Sequence, residues 1–159
     1  MADEKKLALA KEVYASLCGA LDRREWKYKK EEDELLVRFD VNGDDFPMAF
    51  IMYMDVDRQL IRVLSPMPFV FPEDKRIDGA IATVAASDAL PDGSFDYDIT
   101  SGKTYFRMTN TYRDGKIGEG LFQYIIECAT YVVDLYNDKL FAVSKGMMSI
   151  DEFLKERYN

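Results

Sequence analysis

Glu34–Ser65 reads ELLVRFDVNGDDFPMAFIMYMDVDRQLIRVLS, and this stretch decides the fold. It is rich in Val, Ile, Phe, Tyr and Met. Its apolar residues recur at alternate positions, the period of a strand with one buried face. Asn42-Gly43 supplies the dipeptide that a two-residue type I′ hairpin requires. Three strands are predicted, roughly Glu34 to Asp40, Asp45 to Asp55 and Gln59 to Ser65, and Trp26 and Tyr28 open the β-rich region ahead of them.

Pairing these strands through their turns assigns the faces. A turn at Asn42-Gly43 sets Leu35, Val37 and Phe39 against Phe50, Met48 and Phe46. A turn centred on Val56 to Arg58 sets Met52 and Met54 against Arg62 and Leu60. That face is apolar enough to be core. Its reverse then carries Leu36, Ala49, Ile51, Tyr53, Ile61 and Val63 beside Glu34, Arg38 and Pro47. Either a second helical layer covers this reverse face, or it receives a second subunit or a client chain. A single bulge would exchange the two faces. Leu36, Ile51, Tyr53, Ile61 and Val63 are the candidate partner or dimer surface.

Upstream, Leu9, Val13, Leu17 and Leu21 lie four apart within Glu4 to Leu21 and mark an amphipathic helix, with Ala10 and Ala20 alongside. Downstream, the prolines of Pro66-Met-Pro-Phe-Val-Phe-Pro72 lack the amides a central ladder needs, so this stretch is expected to be a connector. An Ala-rich helix follows, with Ile77, Ala80, Ile81, Val84 and Ala85 on one face, and Leu90-Pro91-Asp92-Gly93 stops it. Phe95, Tyr97 and Ile99 alternate with Ser94, Asp96 and Asp98, and Thr100-Ser101-Gly102 turns the chain into Lys103 to Thr111, a second hairpin. The longest helix runs from about Ile117 to Val143. Its stripe of Ile117, Leu121, Ile125, Ala129, Val132, Tyr136 and Leu140 is broadened by Phe122, Tyr124, Ile126, Tyr131 and Val133. Ser149-Ile150-Asp151-Glu152 is a capping box before a last helix to about Tyr158.

The expected class is therefore α+β, an antiparallel sheet packed against helices in the order α-β-β-β(-β)-α-β-β-α-α. Residues 1–145 read as one domain and 146–159 as a short C-terminal helix appended to it. A chain of 159 residues, 48% hydrophobic, is long enough for one core.

Composition narrows the function. The chain has no histidine, which removes the commonest general base and the histidine-based triads and zinc sites. Its acidic pairs, Asp55 with Asp57 and Asp96 with Asp98, fall at turns and on a polar strand side, far from the apolar setting a carboxylate catalyst requires. Asp40-Val41-Asn42-Gly43-Asp44-Asp45 begins like a calcium loop, but Asp45 stands where the loop glycine belongs and Ile51 where the bidentate glutamate belongs. Gly115-Lys116-Ile117-Gly118-Glu119-Gly120 matches neither the P-loop nor the dinucleotide-binding spacing, and Glu119 would repel the anion. Cys18 and Cys128 read as reduced thiols on helix faces. No catalytic, cofactor or metal residues are assigned. A net charge of −8 opposes nucleic-acid binding. No apolar run suggests a signal peptide or a membrane span, so a cytoplasmic protein is expected.

The order of elements resembles the YbjN-like family, which shares the fold of type III secretion chaperones. The match is carried by Leu90-Pro91-Asp92-Gly93-Ser94-Phe95-Asp96-Tyr97-Asp98 followed by Thr100-Ser101-Gly102-Lys103-Thr104-Tyr105-Phe106-Arg107: a helix end, a Gly-Ser-Phe strand, an acidic turn with glycine and an aromatic-Arg strand. It extends from about Leu7 to Val143. The resemblance implies a small acidic homodimer, non-enzymatic, that binds a protein client or regulatory partner in chaperone fashion or acts as a sensory transduction regulator. The alternative from another class is a small-ligand sensor, with a pocket between the long helix and the sheet lined by Tyr124, Tyr131 or Met108.

Overall fold

The Asp3 side chain accepts the Lys5 amide at 3.0 Å, satisfying a donor that the first turn of a helix leaves free, and so opens α1 (Glu4–Arg23). The computed structural model describes residues 3–115 and 117–157; Lys116 in the glycine-rich stretch and Tyr158, the expected end of the last helix, lie outside the described residues. Helix α1 buries Ala10, Val13, Leu17, Ala20 and Leu21 as its spacing predicts. Then follow β1 (Lys29–Glu31), β2 (Leu36–Asn42), β3 (Pro47–Asp55), β4 (Leu60–Val70), α2 (Arg76–Asp88), β5 (Ser94–Asp98), β6 (Lys103–Thr111), α3 (Glu119–Ser144) and α4 (Ile150–Glu156). The strands form one antiparallel sheet in the order β1-β2-β3-β4-β6-β5. The α+β class and the order of elements are those expected, with β1 as the additional strand.

Two turns decide which side of each strand faces the helices. Between β2 and β3, Asn42 pairs with Pro47, so the loop is longer than the expected Asn42-Gly43 turn. The Gly43 amide donates to the Phe46 carbonyl at 3.1 Å, and the Asp134 carboxylate of α3 accepts the Asp44 amide at 2.9 Å, holding the wider loop. Phe39 therefore opposes Phe50, and Val37 opposes Met52. The loop has grown by an even number of residues, and side chains alternate with a period of two, so Val37, Phe39, Met48, Phe50, Met52 and Met54 remain in the core.

Between β3 and β4 the change is odd. Gln59 enters the turn in a left-handed conformation, φ 56°, and its carbonyl accepts the Tyr112 amide at 3.0 Å from beyond β6. Met54 pairs with Ile61 and Met52 with Val63, displacing Leu60 and Arg62 by one position. One residue inverts every side chain of β4. Ile61 and Val63, expected on the partner surface, lie in the core at 0% and 1% exposure. Leu60, Arg62 and Leu64 take the opposite side, half-buried.

Strand β4 also continues through Pro66 and Pro68 to Val70, where a connector was expected. Its ladder with β3 ends at Leu64, and the Ser65 hydroxyl bonds the Ala49 carbonyl at 2.8 Å instead. From there β4 has a ladder partner only in β6, with a register irregularity between Pro66 and Val70. Prolines two apart direct their missing amides to one side, and the unladdered side tolerates them.

Helices α1 and α3 cover the core face of the sheet and α2 packs on β5. Helix α3 supplies the largest share of the core, including Phe122, Ile125, Ile126, Val132, Val133, Tyr136 and Leu140; Tyr124 and Tyr131, expected to broaden its apolar face, are instead 46% and 68% exposed. Helix α2 is turned from its expected orientation, and of the expected face only Ala85 is buried. Gly79, Ala82, Thr83, Ala85 and Ala86 face inward, while Ile77, Ile81 and Val84 are exposed. Sterics explain this: a Cβ on Gly79 would lie 2.6 Å from Tyr97 Oη and 2.7 Å from Phe71 Cγ, so only the small-residue face can approach β5. The capping box forms as expected at Ser149 and Glu152, and Phe153 of α4 is fully buried near Tyr136.

Candidate functional site

The face of the sheet turned away from the helices contains no fully buried residue among those described, and it is where the apolar residues left over by the core converge. Alternation along β2 and β3 places Leu36, Ile51 and Tyr53 there, as expected, and the corrected register of β4 adds Leu60 and Leu64. Tyr53 lies between Leu36 and Arg62, and Ile51 between Arg38 and Leu64. Pro66 pairs with Tyr105 of β6, which is 38% exposed. The result is an apolar surface across three strands with Arg62 in its midst. Its candidate residues thus separate: Leu36, Ile51 and Tyr53 lie on this open face, whereas Ile61 and Val63 lie beneath it. A three-residue turn hides Leu60 and Leu64 from this face; the signal for the longer turn, a left-handed Gln59, is absent from local propensity.

Charges frame this surface. The Arg38 guanidinium donates to Glu31 at 2.9 Å, across β1 and β2. Arg107 grips Asp96 through Nε at 2.6 Å and a terminal nitrogen at 3.2 Å. Burial pushes the Asp96 carboxyl upward, but the Arg107 hydrogen bonds and charge outweigh it and hold the group below the usual carboxylate value. Asp55 behaves alike, its burial offset by hydrogen bonds from the Arg58 amide and guanidinium. Asp98 is held at about 2 by the Thr100 and Ser101 hydroxyls at the β5–β6 turn.

A second exposed apolar surface lies on the helical side. Ile77, Ile81 and Val84 of α2 are 70%, 42% and 70% exposed, and Leu154 of α4 adjoins Ile81 and Val84 along a groove between the two helices. Large aliphatic side chains at i, i+4 and i+7 form one stripe.

A cleft of about 730 Å³ separates α1 from β1 and the turn after it, with Leu7, Tyr14, Cys18 and Leu35 among charged neighbours. Burial raises the Cys18 thiol, and the Tyr14 hydroxyl, which donates to the Leu36 carbonyl, is pushed up to about 12. Burial also raises Cys128. Both thiols are therefore protonated at neutral pH and poor nucleophiles. The ligand pocket expected between the long helix and the sheet does not assemble from its assigned residues: Met108 is sealed in the core at 1% exposure while Tyr124 and Tyr131 point outward. Among the described residues no group of three or more carboxylates and thiols is placed to hold a metal ion, and no helix is long and apolar enough to cross a membrane.

The chain is similar to a chain of a solved structure, that of the HopA1–SchA chaperone–effector complex, with a TM-score of 0.50 and 11% identity over 92% of this chain and 97% of that one. At that identity the likeness is one of fold. No family model matches the sequence, and no curated protein matches it.

Proposed function

We propose that the chain is a non-enzymatic, chaperone-like or regulatory protein-binding module of the cytoplasm, which holds a partner protein on its open sheet face and acts as a homodimer. The observation that carries this reading is the one-sided sheet: Leu36, Ile51, Tyr53, Leu60 and Leu64 form an apolar surface over which, among the described residues, no helix lies. A contiguous half-buried apolar surface among charged groups is the form of a protein-docking site. The fold shared with a chain from a chaperone–effector complex supports the same reading. For the second copy, the Ile77, Ile81 and Val84 stripe fits better than the sheet, because a single helix stripe packs on itself about a two-fold axis and leaves the open face free.

The test is affinity capture from the native cell with the wild-type chain and Ile51→Asp in parallel, followed by titration of the captured protein, purified, against both. Ile51 is half-buried on the open face, so the variant should fold normally and bind at least about tenfold more weakly. The same change at Ile61, in the core, should unfold the protein. Equal binding by wild type and Ile51→Asp would remove the sheet face from consideration.

A further inference from the structure

Arg62 stands at the centre of the open face, between Tyr53 of β3 and Thr109 of β6. Its side chain is half-buried, and its Nε is sealed from solvent without a hydrogen-bond partner. The face's other arginines are answered within the fold, Arg38 by Glu31 and Arg107 by Asp96. Asp55, whose charge Arg62 feels through space, has its two oxygens engaged by Arg58. Among the described residues, the Arg62 side chain therefore has neither a hydrogen bond nor an ion pair. A guanidinium held partly out of water without an acceptor is unfavourable, and its planar fork is matched by a carboxylate.

We infer that the partner segment held on the open face carries an aspartate or glutamate set among apolar residues, and that this carboxylate pairs with Arg62 while its neighbours cover Leu36, Ile51, Tyr53 and Leu64. The inference rests on the open face being the docking site. The net charge of −8 sharpens it. An acidic tract would be repelled by the field of the whole chain, whereas one carboxylate in a neutral apolar segment meets mainly the local charge of Arg62.

The experiment titrates short synthetic peptides of alternating Leu and Ser, with one central Glu, Gln or Lys, against the full chain and its Arg62→Gln, Arg62→Glu and Ile51→Asp variants. Fluorescence anisotropy reads binding, and thermal melts confirm that each variant folds. Wild type should prefer the Glu peptide over the Gln peptide by about tenfold. Arg62→Gln should erase that preference, and Arg62→Glu should redirect it to the Lys peptide. Equal binding of Glu and Gln peptides by wild type, or a Glu preference that survives Arg62→Gln, overturns the carboxylate pairing. If Ile51→Asp then still weakens all peptides, the docking face stands without it. If no peptide binds wild type, or Ile51→Asp binds as wild type does, the docking face falls and the pairing with it.

Discussion

Asp96 shows what a single side chain owes to its neighbours. The sequence places it on the polar side of a strand, and so it lies, but the partner that matters, Arg107, reaches it diagonally from β6. Because hydrogen bonds from Arg107 hold the folded carboxyl below its ordinary value near 3.8, the unfolded chain binds a proton there before the folded chain does. The pair's contribution is thus fully present above the unfolded pKa and is lost as the pH falls through the lower folded one. Asp96→Asn should cost about 1 kcal/mol at pH 7, a figure kept modest because the pair is partly solvated. Urea unfolding of wild type and variant should show that difference shrinking as the pH falls from about 4 toward about 2. A difference independent of pH would mean that the ion pair is not its source. The same dependence on distant neighbours governed the candidate site. Leu36, Ile51 and Tyr53 were legible from alternation alone, while Ile61 and Val63 were misassigned because Gln59 takes a left-handed conformation anchored by the Tyr112 amide.

Among the elements, the two turns show why some errors of register are harmless. The β2–β3 loop is two residues longer than its Asn-Gly signal implies and the faces are kept; the β3–β4 turn is one residue longer than expected and the whole strand inverts. Helix α2 is turned for another reason. Both its sides are apolar, so hydrophobicity favours burying Ile77, Ile81 and Val84, yet Phe71 and Tyr97 admit only the Gly79 side. Gly79→Ala should accordingly destabilise the protein by about 1–3 kcal/mol in denaturant titrations, although alanine is the better helix former. A neutral or stabilising outcome would show that α2 can retreat from β5 at little cost.

For the molecule as a whole, placing the core-covering helices on one side of the sheet leaves two apolar surfaces on one small chain, the sheet face and the α2 stripe. Burying Ile77, Ile81 and Val84 in each of two copies stabilises a dimer by roughly 8 kcal/mol, against an association cost of about 4–15 kcal/mol. These are comparable, so self-association should be concentration-dependent. Sedimentation at micromolar concentrations should detect a wild-type dimer whose melting temperature rises with concentration, and Ile81→Asp should be monomeric with no such rise. A strictly monomeric wild type would rule the dimer out. The α+β class, the order of elements and the buried faces of α1, β2, β3 and most of α3 are legible in the chain's residues alone, because each follows from a period repeated over many residues. The facing of β4, the orientation of α2 and the composition of the open face follow from contacts made only on folding. Those depend on one residue in a turn and on the Gly79–Phe71–Tyr97 contact, where chain segments distant in sequence meet.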